Sequence, residues 1–239
     1  MVTSDESVPA RLPAASAPAA AGPTSRPALQ RPAGLPWLKP GLILGSLAPL
    51  ASIIVRAYQG NLSANPIAEI VNELGLTALI FLIAGLACTP ARWLFGWTWT
   101  VRIRRELGLL AFFYAMLHVL VYAVLDQGLD WQIILEDIAQ RPFITVGFLA
   151  LVLLAPLAFT STTGWVRRLG FKRWTRLHKL AYVAGVLAVI HFVWRVKIDV
   201  SQPLVYGSIL GALLLVRVAF WLRKRADRQA TPAPARRTS

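Results

Sequence analysis

The chain has 239 residues, of which 56% are hydrophobic and 15% are charged, and its mean hydropathy is +0.56. These values exceed what a single soluble core requires, and they predict a membrane protein. The net charge of +14 does not indicate nucleic-acid binding, because the basic residues form short clusters between long apolar runs. One cysteine, Cys88, excludes an internal disulfide and a cysteine-rich metal site built by this chain alone.

Residues 1–36 contain nine Ala and seven Pro, together with scattered Ser, Thr and Arg. A segment of this composition buries too little apolar surface to order itself, so we predict a disordered cytoplasmic tail. Proline interrupts the alanines every few residues, and the segment therefore lacks the continuous apolar core of a secretion signal.

Six runs without Asp, Glu, Lys or Arg follow the tail. They predict an all-α, polytopic bundle of six transmembrane helices over 37–222, followed by a basic cytoplasmic tail over 223–239. Several runs are shorter than the ~20 residues of a full span, but flanking Lys and Arg side chains can snorkel and extend them. The runs are 40–55, 74–91, 107–125, 142–166, 180–194 and 200–216.

The basic residues between the runs predict the orientation of the helices. Four lie in the tail through Lys39, four in 92–105, five in 167–176 and six after Leu222. The alternate segments carry four basic residues against seven acidic ones. Cytoplasmic loops hold the excess of Lys and Arg, so both termini are expected in the cytoplasm, as in a multi-pass protein of the bacterial inner membrane.

The three histidines all lie in or beside predicted spans. His118 is in the third span, and His178 and His191 are in the fifth. Both spans run outwards from the cytoplasm, and a rise of ~1.5 Å per residue places His118 and His191 about 20 Å beyond their basic starts. Two imidazoles at one depth on parallel helices favour bis-histidine ligation of haem iron, although a hydrogen bond to a neighbouring helix is the other reading of either residue.

His178 lies near the cytoplasmic end of the same span. Its 13-residue separation from His191 turns it about 140° away from the His191 face at ~100° per residue. A haem partner at its level would fall near Arg105. His178 is therefore either a further haem ligand or an interfacial side chain among basic residues.

The cytoplasmic loops combine arginines with tryptophans, which an interfacial aromatic belt explains and which a flavin or anionic-partner site would also use. Neither the dinucleotide-binding motif nor the P-loop motif occurs, and only 17 residues follow Leu222. We therefore expect the electron donor to be a quinol or a separate soluble reductase.

Several segments around the histidines resemble those of the MsrQ (YedZ) family, within the ferric-reductase-like transmembrane group. The segments are "TPAR", "RRELGLLAFFYAMLHVLVYAVLDQG", "RPFITVGFLALVLLAPLAFTST", "RLHKLAYVAGVLAVIHFVWRVK" and "QPLVY". The resemblance extends from about residue 37 to 221. It implies a six-span fold, haem b held by histidines matching His118, His178 and His191, and FMN.

The resemblance also implies a function as an electron-transfer subunit, distinct from the catalytic reductase itself. Electrons would pass from the quinone pool or a flavin reductase to a periplasmic, molybdopterin-containing methionine sulfoxide reductase, in a heterodimer that repairs oxidised proteins. Two alternatives remain: a quinol-oxidising cytochrome b anchor for a different oxidoreductase, and a transporter without a cofactor.

Overall fold

The computed structural model describes residues 36–196 and 198–230, and every regular element within them is helical. The predicted tail over 1–36 lies outside the described residues except for Pro36, as does the last part of the segment over 223–239. The helices are α1 Leu38–Ser46, α2 Ala48–Tyr58, α3 Pro66–Phe95, α4 Thr100–Val121, a π-helical turn Tyr122–Asp126, α5 Trp131–Gln140, α6 Pro142–Phe159, α7 Thr163–Leu169, α8 Phe171–Leu177, α9 Leu180–Arg195 and α10 Ser201–Ala230.

Six helical stretches within the described residues are long and apolar enough to cross a bilayer. Each overlaps one of the six predicted runs, which confirms the all-α polytopic fold. The stretches are Leu38–Tyr58, Pro66–Phe95, Thr100–Asp126, Pro142–Phe159, Phe171–Arg195 and Ser201–Gln229.

The outer surface of these helices is strongly apolar. Ile54, Phe159 and Leu215 expose about two thirds of their surface or more, and many other large hydrophobic side chains are exposed around the bundle. A monomeric soluble protein rarely leaves so much contiguous apolar surface uncovered. The lipid chains of a bilayer are the environment that this surface fits.

Two of the spanning stretches are interrupted. The first is interrupted at Leu47, between α1 and α2, where Pro49 lies in the first turn of α2 and supplies no backbone N–H to the preceding helix. The fifth is divided at His178 and Lys179, between α8 and α9. The predicted run 180–194 therefore corresponds closely to α9 alone.

The prediction for the fourth span was wrong at its carboxyl end. The run 142–166 suggested a helix throughout, but α6 ends at Phe159. The hydroxyls of Thr160 and Ser161 bond back to the carbonyls of the preceding turn, while Thr162 caps the start of α7 by accepting from the Trp165 N–H. Hydroxyl side chains that bond to nearby backbone in this way favour helix ends, whatever the hydropathy of the run.

The centre of the bundle is formed by α3, α4, α6 and α9, in which α3 packs most extensively on α4 and α6 on α9. The four helices meet at one apolar cluster, whose small members let the helices approach closely: Leu82, Ala111, Leu154, Leu157 and Ala184. α10 packs against α9 and α3, and α1 and α2 lie against α4 and α3.

Ion pairs join neighbouring elements at both ends of the bundle. Lys39 of α1 lies 2.5 Å from Glu106 of α4 at the end where the predicted orientation places the cytoplasm. At the opposite end, Arg56 of α2 contacts both Glu69 and Glu73 of α3. These pairs fix the peripheral helices α1 and α2 to the central bundle.

Candidate functional site

The structure brings His118 and His191 together, as the depth count predicts. His118 lies in the last turn of α4 and His191 in the last turns of α9, and their ring centroids are 6.2 Å apart at an interplanar angle of 82°. Both belong to central helices, so the packing of the bundle sets the position of each ring.

Each imidazole is oriented by a backbone carbonyl of an adjacent helix. His118 Nδ1 lies 2.7 Å from the Val71 carbonyl oxygen of α3, and His191 Nδ1 lies 2.6 Å from the Phe143 carbonyl oxygen of α6. A carbonyl oxygen only accepts, so Nδ1 carries the proton and donates in both rings. Nε2 of each ring then holds the lone pair that binds a metal, an arrangement typical of metal-ligating histidines.

A glycine lies against each ring. A Cβ on Gly75 would lie 2.9 Å from His118 Nδ1, and a Cβ on Gly147 would lie 2.7 Å from His191 Nδ1. Gly75 and Gly147 lie four residues after Val71 and Phe143. In an α-helix, the N–H groups of the two glycines therefore donate to these same two carbonyls. Because glycine has no side chain, it leaves space beside the carbonyl. The second lone pair of the carbonyl oxygen can then accept from the imidazole N–H.

The two halves of the site therefore repeat one local design. In each, a histidine follows its carbonyl partner along the chain by 47 or 48 residues. One half is formed by the packed pair α3 and α4, and the other by the packed pair α6 and α9. The two imidazoles meet where these pairs face each other.

The pair fits a haem better than a bare metal ion. No group of three or more His, Cys, Asp or Glu side chains that could hold a metal occurs in the described parts of the chain, whereas protein-ligated metal sites generally need three or four such ligands. Two imidazoles bound at about 2 Å on opposite sides of one metal give ring centroids about 6 Å apart, close to the separation observed. A macrocycle that supplies the remaining ligands completes such a site.

His178 is not brought to this pair. It lies at the opposite end of α9, where its ring stacks on Trp174 with centroids 4.0 Å apart and its Nε2 lies 3.4 Å from Thr160 Oγ1. Arg104 of α4 lies close enough to interact electrostatically with it. Its contacts suit an interfacial side chain, and its role as a ligand stays a prediction.

Four residues at the site were not identified from the sequence: Gly75, Gly147, Asn72 and Arg195. Gly75 and Gly147 give no signal of their own, because glycine is common in membrane helices and its partner ring lies on another helix. Arg195 was counted only as an external charge, yet it lies four residues after His191 and donates from Nη1 to Asn72 Oδ1. The i, i+4 spacing of His191 and Arg195 on one helix face was the available signal.

The fold and the histidine pair together define a multi-pass helical membrane protein of the ferric-reductase type. Residues 70–189 match the family model described as the ferric reductase like transmembrane component.

Similar proteins narrow this class further. The chain is 51% identical over 189 residues to a protein of Rhodospirillum rubrum, covering 79% of this chain and 91% of that relative. It is 50% identical over 191 residues to one of Deinococcus radiodurans (79% and 93% covered) and 45% identical over 201 residues to one of Herminiimonas arsenicoxydans (83% and 92%). Each is named "protein-methionine-sulfoxide reductase heme-binding subunit MsrQ". The chain belongs to the MsrQ family, which confirms the resemblance read from its segments.

The close contact at Gly147 yields a test of this geometry. In Gly147→Ala the new Cβ displaces the His191 ring and breaks its bond to the Phe143 carbonyl. Ferric haem titrated into the detergent-purified protein should bind about 10- to 100-fold more weakly, the usual effect of losing a partner that orients a metal ligand.

Gly108→Ala in α4 is the matched control, because a Cβ there meets nothing within 4 Å. It should bind haem as the unchanged protein does. Equal binding by Gly147→Ala and Gly108→Ala would contradict the proposed contact between ring and backbone.

Proposed function

We propose that this chain is a b-type cytochrome subunit that carries electrons across the bacterial inner membrane to a methionine sulfoxide reductase. The donor is the quinone pool or a cytoplasmic flavin reductase, and the acceptor is a periplasmic, molybdopterin-containing catalytic subunit. His118 and His191 are the axial ligands of haem b. The paired imidazoles, each oriented through Nδ1, are the observation that carries the proposal, and membership of the MsrQ family supports it.

The residues around the pair prepare it for electron transfer. When bound, haem supplies reversible one-electron chemistry. The Val71 and Phe143 carbonyls fix the orientation of both rings, so little rearrangement accompanies a change in the charge of the site. The apolar cluster of the four central helices beneath the pair excludes water.

The position of the pair supports the direction of electron flow. It lies where α4 and α9 end and where α3 and α6 begin, the end of the bundle that carries fewer basic residues in its connections. The positive-inside rule assigns that end to the periplasm. A redox site there is placed to deliver electrons to a separate protein on that side.

Two further parts of the proposal are supported by family resemblance alone. The first is the binding of FMN, to which we assign no residues. The other is the part played by His178, which would hold a second haem near the cytoplasmic end or act only as an interfacial side chain.

The ligand assignment predicts different outcomes for the three histidines. His118→Ala and His191→Ala should each abolish the low-spin b-type spectrum, because the loss of one axial imidazole leaves a five-coordinate or empty site. His178→Ala should retain at least part of it. An unchanged spectrum in His118→Ala would exclude the pair as ligands, and a wild-type protein without any Soret band would favour a transporter.

The destination of the electrons is tested with membranes that contain the reduced protein. Under anaerobic conditions, we expect reoxidation of the haem only when the purified methionine sulfoxide reductase and its sulfoxide substrate are both added. The reductase without substrate is the control. Haem that stays reduced in the complete mixture would indicate another acceptor, as expected of a cytochrome b anchor for a different oxidoreductase.

The orientation predicts a silent reporter at the carboxyl terminus. A phosphatase that is active only in the periplasm should show no activity when fused after Ser239, because the final segment carries six basic residues and is retained in the cytoplasm. A fusion in the connection between the third and fourth spans is the positive control. Strong activity after Ser239 would refute both the orientation and the even number of spans.

A further inference from the structure

Arg195 occupies a special place beside the histidine pair. It lies one turn beyond His191 at the end of α9, and its Nη1 donates to the Oδ1 of Asn72 on α3. Asn72 directly follows Val71, whose carbonyl orients His118. The guanidinium is thereby tied to the segment of α3 that orients His118, while its own helix carries His191, and it lies close enough to interact electrostatically with each ring.

The charge of Arg195 is not neutralised by a carboxylate. Two other arginines at this end have acidic partners: Arg56 contacts Glu69 and Glu73, and Arg141 lies 3.1 Å from Asp137. Within the described ranges, Arg195 instead contacts the Asn72 amide and lies 6.0 Å from the centre of the Phe192 ring, and it forms no ion pair.

The chemistry of Asn72 explains how an unpaired charge is held there. A neutral amide oxygen accepts from the guanidinium and fixes its position without cancelling its charge. An aspartate at the same position would hold the group more strongly but would neutralise it. Because Arg195 is only partly exposed, water screens its charge less than that of a side chain in an open loop.

We propose that Arg195, through its fixed positive charge, raises the reduction potential of the haem held by His118 and His191. Haem gains one electron on reduction, and a fixed cation nearby stabilises the more negative, reduced form. This inference rests on the proposed bis-histidine haem, and it adds an electrostatic function to a residue that binds no metal.

The test is a spectroelectrochemical redox titration of the full-length haem protein in detergent, with dithionite as reductant and ferricyanide as oxidant. Arg195→Gln should lower the equilibrium constant for reduction about tenfold, which for a one-electron couple is a shift of about 59 mV to lower potential. Arg195→Lys retains the charge and should restore most of the difference.

Asn72→Asp provides a second route that leaves Arg195 in place. The new carboxylate pairs with the guanidinium, so the potential should fall as in Arg195→Gln even though the helices remain tied together. Arg168→Gln removes one charge from an exposed position in the segment α7 at the cytoplasmic end, and it should leave the potential unchanged.

The outcomes separate this inference from the function on which it rests. A low-spin haem whose potential is the same in wild type, Arg195→Gln and Asn72→Asp would overturn the role of Arg195 and leave the haem proposal intact. A wild-type protein that binds no haem would overturn the proposed function itself. If Arg195→Gln fails to retain haem, Asn72→Asp alone decides, and an unchanged potential there refutes the inference.

Discussion

The hydrogen bond from each imidazole Nδ1 to a helix carbonyl is the interaction on which the rest of this structure depends. In hydrocarbon, a polar ring needs a partner for each nitrogen, and a carbonyl already engaged in its helix is the acceptor available there. It can accept a second bond only if the residue at i+4 leaves its free side open. Gly75 and Gly147 satisfy that condition, so two glycines without chemistry of their own determine where the two imidazoles lie.

This requirement also explains the arrangement of the central bundle. α3 supplies a carbonyl and a glycine to the histidine of α4, and α6 does the same for the histidine of α9. Each pair must pack closely along its length, and Ala111 and Ala184, which are fully buried, permit that approach. The peripheral helices α1, α2 and α10 pack against the outside of the pairs.

Much of this architecture follows from the sequence because it depends on distance along one helix. Hydropathy gave the six spans, and the rise per residue gave the common depth of His118 and His191. The features that were missed depend on hydrogen bonds of side chains, which hydropathy does not reveal. The end of α6 at Phe159 is set by local bonds from the hydroxyls of the next three residues, and the bond between Asn72 and Arg195 joins two residues that are 123 apart in the chain.

The distribution of charge along the chain increases the influence of Arg195 on the electric field beside the histidine pair. The connections at the end of the bundle where α4 and α9 terminate carry few cations, and two of the arginines that lie there are paired with carboxylates. Among the residues that the structure describes at this end, Arg195 is the arginine without a carboxylate partner, and its charge therefore contributes a large share of the field beside the histidine pair. The distribution of charge that predicts the orientation in the membrane and the electrostatics of the proposed redox site are, in this way, two consequences of the same sequence pattern.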